Sequence, residues 1–179
     1  MNKKRDKLLF VLSILLVISL IGVSCKENDV ESNRPGPGLV FEIVEGIDTW
    51  DFESSYLSDI RHSSDNHQNW YRTSNSKHGG KYSYRSGHIS HNQKSCFEIS
   101  GSYSRYSFYY RTSSKSQIDF LKLYIDTKPV FSQSGTNDWQ HYSGTAASSY
   151  DIIKWCYQKN GDTSDGSDAV WIDDIELDN

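Results

Sequence analysis

The chain has 179 residues, a formal net charge of −4, and a 13 % aromatic content with 12 Tyr and 5 Trp but a single Met. The acidic balance leaves out the basic face that a nucleic-acid partner requires, and the roughly 140 residues beyond the N-terminal segment suffice for one core and not two. Abundant Tyr, Ser, Trp and Thr, with little Leu or Ala, favour strands over helices.

The chain opens MNKKRDKLLFVLSILLVISLIGVSC, a basic start followed by an apolar run from Leu8 to Val23 of signal-peptide length. That run falls short of the ~20 residues that span a bilayer, although an uncleaved anchor is the competing reading. Cys25 follows Gly22, Val23 and Ser24, and the stretch resembles the lipobox of bacterial lipoproteins, with Gly22 in place of the usual Leu. The resemblance implies cleavage after residue 24, lipidation of Cys25, and membrane attachment through that lipid alone. Residues 1–24 carry a net +3, so the remaining chain stands at −7. Residues 25–38 are polar with Pro and Gly, without apolar periodicity, and read as a solvated tether. Lys26-Glu27-Asn28-Asp29 is similar to the acidic stretch of lipoproteins exported to the outer face of the outer membrane, which implies a cell-surface location.

From residue 39 onward, short apolar or alternating runs are separated by turn formers. They are Val40 to Val44, Lys81 to Ser86, Ser95 to Ile99, Tyr106 to Thr112, Ile118 to Asp126, Pro129 to Ser132, Trp139 to Tyr142, Tyr150 to Lys159 and Ala169 to Leu177. About nine strands at this spacing predict an all-β, two-sheet antiparallel sandwich over residues 39–179, a single domain. Ser54 to Ser76 is polar and aperiodic and reads as a long loop. In the run from Tyr150 to Lys159, Ile153, Trp155 and Tyr157 share the face expected in the core. The last run poses a question. Asp173 and Asp174 are adjacent, so strict alternation places Asp173 on one face with Trp171, Ile175 and Leu177, and Asp174 outward. An unpaired buried carboxylate is costly and needs a cation, backbone N–H donors or a raised pKa. The alternative is that both acids are exposed at a frayed terminal strand.

The stretches HGGKYSYRSGHISHNQKSCFEI, YSFYYRTSSKSQIDFLKLYID, SGTNDWQHYS and IIKWCYQKNGDTSDGSDAVWIDDIEL together resemble a jelly-roll β-sandwich module of surface and secreted proteins of Bacteroidota. The module is related to MAM and cleaved-adhesin domains with their concanavalin-like sandwich. The resemblance implies a structural Ca²⁺ held by an early glutamate, Glu53, by the aspartate of the closing strand, Asp173, and by carbonyls near the Gly79-Gly80 turn, with Asp174 the lesser ligand. Carboxylate and carbonyl oxygens are the ligands calcium takes. The run Gly161 to Ala169 lacks the order of an EF-hand loop and reads as a solvated hairpin turn rather than a second ion site.

Cys96 and Cys156 fall in predicted strands, and they pair only if those strands are neighbours. No nucleophile or metallohydrolase motif is present, and neither Glu98 nor Asp119 is singled out as half of a glycosidase pair; the chain reads as a non-enzyme. Sandwiches of this kind bind sugars on aromatic platforms, and the candidates are Trp70, Tyr71, Tyr103, Trp139 and Tyr142 with Asn92 and Gln93 of the HNQ loop. Each aromatic is also ordinary material for a sandwich core. The expected function is therefore a surface-tethered module that binds glycan or a host or surface protein; the alternative is an assembly subunit of a surface complex without a small-molecule ligand.

Overall fold

The computed structural model describes residues 46–161 and 163–178. The expected signal segment, Cys25, the expected tether and the run Val40 to Val44 lie outside the described residues. Nine strands follow in order: β1 (Ile47–Trp50), β2 (Ile60–His62), β3 (Tyr71–Thr73), β4 (Ser83–Arg85), β5 (Lys94–Ser113), β6 (Phe120–Ile125), β7 (Lys128–Ser134), β8 (Thr136–Gln158) and β9 (Ala169–Asp178). All pairings are antiparallel. The main order is β3-β4-β9-β5-β8-β6-β7, with β1 on β9 and β2 on β5.

This is an all-β sandwich whose two layers belong to one sheet. The segments expected as separate strands, Ser95 to Ile99 with Tyr106 to Thr112, and Trp139 to Tyr142 with Tyr150 to Lys159, are the two halves of β5 and of β8. Each long strand changes phase midway. In β5 the buried residues are Phe97 and Ile99 before the change and Tyr106, Phe108 and Tyr110 after it, and the register with β8 shifts between Ser100 and Tyr103 and between Tyr103 and Arg105. An extra residue at such a shift bends the strand and increases its twist. The first half of β5 pairs with β2 and the C-terminal half of β8, which carries β6; the second half pairs with the N-terminal half of β8 and with β9.

The two layers meet through rings. Phe108 and Tyr142 of one layer pack against Phe131 of the other at 5.9 and 4.4 Å between centroids, and Phe108 meets Trp155 edge-on at 5.6 Å. Phe97 stacks on Trp155 at 4.9 Å and takes Tyr84 edge-on at 5.1 Å. Offset and edge-on ring pairs contribute on the order of 1 kcal/mol each beyond the area they bury. Ile153, Trp155 and Tyr157 are wholly buried, which agrees with their expected core face. The region expected as a long loop, Ser54 to Ser76, contains β2 and β3, three residues each. Strands this short leave no periodicity to read.

Candidate functional site

The carboxylates of β9 are explained by a bulge. Tyr109 faces Asp173 and Ser107 faces Glu176, so Phe108 alone opposes Asp174 and Ile175. Asp174 is the extra residue, with φ +45°. The alternation is thereby reset: Ile172, Ile175 and Leu177 all reach the core, whereas Asp173 joins Trp171 and Tyr109 on the outer face of the sheet. The expected grouping of Asp173 with Ile175 and Leu177 is corrected by that one inserted residue. Asp173 is nevertheless fully buried, because the loop before β4 roofs it.

Three acids grip this loop. Asp173 Oδ2 accepts from the amides of His78 and Gly79 at 2.8 and 3.3 Å, and its Oδ1 accepts from the Asp174 amide at 3.0 Å. Asp174, far from pointing freely outward, places Oδ2 2.6 Å from His78 Nδ1. Glu53 Oε1 accepts from the amides of Lys81 and Tyr82 at 2.7 and 2.9 Å, and these two bonds hold its carboxyl below the usual value. Glu53 is itself placed by Phe52, which is buried at φ +57° and stacked on Tyr84 at 4.9 Å. Arg72 completes the hold by donating to the carbonyls of Phe52 and Glu53 while lying 4.0 Å over the Tyr82 ring. Gly80 lies directly beneath the glutamate: its φ is +50°, and a Cβ there would stand 2.3 Å from Glu53 Oε1.

Glu53, Asp173 and Asp174 are hard-oxygen donors of the kind calcium takes. What the loop turns toward Glu53 and Asp173, however, is amide N–H, and among the described residues no group of three or more His, Cys, Asp or Glu is arranged to hold a metal. The amides compensate Asp173 only in part. Burial above all, and then the neighbouring Asp174, push its carboxyl up to about 6 despite three backbone N–H bonds. A cation beside it would relieve that residual cost.

Beside the gripped loop, the outer face carries two cross-strand rows. In the first, Tyr71, Arg85 and Trp171 are register neighbours, with Arg111 on the far side of Trp171. Both guanidiniums lie over the Trp171 ring, at 5.5 and 5.4 Å, and Arg111 Nε approaches Asp138 at 3.9 Å. In the second row His78 stacks on Tyr109 at 3.5 Å, with Trp139 at 6.0 Å from His78 and His141 at 4.8 Å from Tyr109.

Of the aromatic candidates from sequence, Tyr71 and Trp139 lie on this face. Trp70 does not: it is a core residue, 2 % exposed, with its indole N–H donated to the Ser95 carbonyl at 2.8 Å. Tyr142 is also turned inward, against Phe131, with its hydroxyl donated to the Val130 carbonyl at 3.2 Å, and Tyr103 is a core residue that donates its O–H to Asp48 Oδ2 at 3.1 Å. Asn92 occupies a turn at φ +58°, and Gln93 Oε1 caps the Ser90 amide at 2.8 Å; both serve the loop before β5. The residues that sequence reasoning missed are Tyr109, His78, His141, Arg85 and Arg111. Tyr109 alternates with buried Phe108 and Tyr110, and that was the available signal; His78 comes from a loop that alternation does not describe.

Cys96 and Cys156 are register partners in β5 and β8 and form a disulfide, with Cα atoms 4.1 Å apart. Glu98 is ion-paired to Lys154 at 3.0 Å, and Asp119 is wholly buried, so the two do not line an open cleft.

No protein-family model matches the sequence, and a search of curated proteins gives no match. Among solved structures, the fold is similar to the secreted serine protease VesC from Vibrio cholerae, with TM-score 0.53 and 13 % identity over 66 % of this chain and 24 % of that one. The chain thus spans about a quarter of the length of the protease. The fold is also similar to the K2 cleaved adhesin domain of Lys-gingipain, with TM-score 0.50 and 13 % identity over 74 % of this chain and 99 % of that domain. At this identity the likeness establishes a shared β-sandwich fold.

Proposed function

We propose that the chain is a non-catalytic binding module, lipid-anchored through Cys25 at the outer-membrane surface, that holds glycan or protein ligands on the outer face of the sheet. The observation that carries this reading is the pair of rows on that face, where Tyr71, Tyr109 and Trp139 alternate with charged and imidazole groups. Rings of this kind cover the C–H faces of a sugar, and an exposed carboxylate such as Asp138 accepts from its hydroxyls. The likeness to an adhesin domain supports a binding role as well, by analogy of fold. In this reading Glu53, Asp173, Asp174 and the Gly80 backbone hold a structural Ca²⁺ that supplies a positive charge to the acids beneath the face.

A glycan array probed with the soluble domain from Leu39 tests the proposal. Binding that Trp139→Ala reduces by roughly tenfold or more, at unchanged melting temperature, supports it, since loss of one stacked ring is worth about 1–3 kcal/mol. A blank array together with a co-purifying protein partner supports the assembly-subunit alternative instead.

A further inference from the structure

Between β8 and β9, a buried lysine is paired with a part-buried carboxylate that lies three residues ahead of Trp171. Lys159 is 2 % exposed. Its Nζ ion-pairs with Asp168 Oδ2 and donates to Ser164 Oγ at 2.8 Å. That same Ser164 hydroxyl donates to Asp168 Oδ2 at 3.2 Å. On the other side of the carboxyl, Tyr157 donates its O–H to Asp168 Oδ1 at 2.7 Å. Tyr157 and the neighbouring Asp119 are both 0 % exposed. Asp119 Oδ1 accepts from the Asn160 amide at 3.1 Å, while its Oδ2 has no hydrogen-bond partner.

Around the single carbon Asp168 Cγ the fold has assembled the parts of an acyl transfer. There is an amine held against the carboxyl, a hydroxyl that touches both the amine and one oxygen, and a donor fixed on the other oxygen. Burying the lysine as an ion is expensive, and its attraction to the carboxylate repays that only in part. Conversion to an amide would remove both charges at once.

We propose that Lys159 and Asp168 condense within the folded domain to form an intramolecular isopeptide bond. The ammonium passes one proton to Asp168 Oδ2, giving amine and carboxylic acid, against the bonds from Lys159, Tyr157 and Ser164 that outweigh burial and hold that carboxyl below its usual value. The Nζ lone pair then forms the bond to Cγ, while Tyr157 O–H stabilises the charge that gathers on Oδ1. Ser164 Oγ takes a second proton from Nζ and returns its own to Oδ2, the Cγ–Oδ2 bond breaks, and water leaves. One ammonium and one carboxylate become one amide and one water, so no oxidant, reductant or other reactant is needed. Burial first, and then Asp168 and Asp119, keep the Tyr157 phenol protonated, as the donor role requires.

The sequence makes the product easy to detect, because no Lys or Arg follows Lys159. The full chain is denatured, reduced, alkylated and cut with trypsin, and its C-terminal peptides are weighed. The expected result is one peptide from Trp155 to the C-terminus, uncut at Lys159 and lighter than its sequence by one water. Fragmentation places the link between Lys159 and Asp168, and the species disappears in Lys159→Arg. A peptide starting at Asn160 with its full mass overturns the proposal. So does a loss of water that persists in Lys159→Arg or accompanies cutting at Lys159, because an aspartimide at Asp165-Gly166 would account for it.

Discussion

At Gly80 a methyl group would stand 2.3 Å from a carboxylate oxygen that two amides already hold, on a backbone at φ +50°. Both the contact and the left-handed conformation oppose a side chain, so Gly80→Ala is expected to destabilise the domain by about 1–3 kcal/mol in urea unfolding. Combining it with Glu53→Ala is expected to cost less than the two changes added together, because the clash disappears with the glutamate. Asp173 gives a second test at this scale. Its carboxyl titrates at about 6 in the fold against an ordinary 3.8, so the folded chain keeps the proton longer than the unfolded one. The contribution of Asp173 to stability is then full below about pH 4 and declines as pH rises through 6. Glu53 has the opposite sign: its lowered value favours the fold above its ordinary 4.5, and that support is lost on acidification. Comparing wild type with Asp173→Asn isolates the first effect. In metal-free buffer the penalty of the substitution should shrink by on the order of 2–3 kcal/mol between pH 4 and pH 7. Calcium, which binds the deprotonated group, should raise the melting temperature more at pH 7 than at pH 5, and EDTA should reverse the gain. Melting curves that ignore both calcium and EDTA would leave the amides as the sole support of these acids.

At the scale of the element, β5 and β8 determine the shape. Their pairing runs from Lys94↔Gln158 to Ser113↔Thr136, with Cys96 and Cys156 bonded in the half nearest the layer of β6. The crosslink spans 60 positions of sequence, so replacing both cysteines with Ala is expected to cost about 2–4 kcal/mol in equilibrium unfolding, with the native spectrum retained. Alternation identified the core face of the C-terminal half of β8 correctly, with Ile153, Trp155 and Tyr157 wholly buried. It divided each strand in two because the buried face switches between Ile99 and Tyr106. A period-two pattern loses phase at any bulge, and the reader of a sequence sees a gap where the chain makes a bend. The same limit governed β9: the two adjacent acids were conspicuous, but the insertion that separates Asp173 from Ile175 and Leu177 is a pairing property shared with β5.

For the molecule as a whole, strand composition and turn spacing were sufficient to identify an all-β sandwich. That the two layers form one continuous sheet was beyond them, since continuity depends on which strand halves join. The Gly79-Gly80 turn was legible as a neighbour of Asp173 only through a family resemblance, because it lies more than ninety residues from it and no local pattern links them. The ligand candidates dispersed for a related reason. Trp70 and Trp139 look alike in sequence, yet one is enclosed by Tyr84 and Phe97 and the other stands on the outside.

β1 runs against β9 with Ile47 opposite Asp178 and Trp50 opposite Ile175. A pull on the chain ahead of Ile47, directed away from β9 and across the strands, loads these rungs one after another, as in opening a zipper, whereas a pull along the strand axis loads them together as in shear. The first resistance met is at Phe52 and Glu53, where a ring is wedged in the interior and a carboxylate is tied to a separate loop. Such a load would break four pairings before it reached the wedged ring.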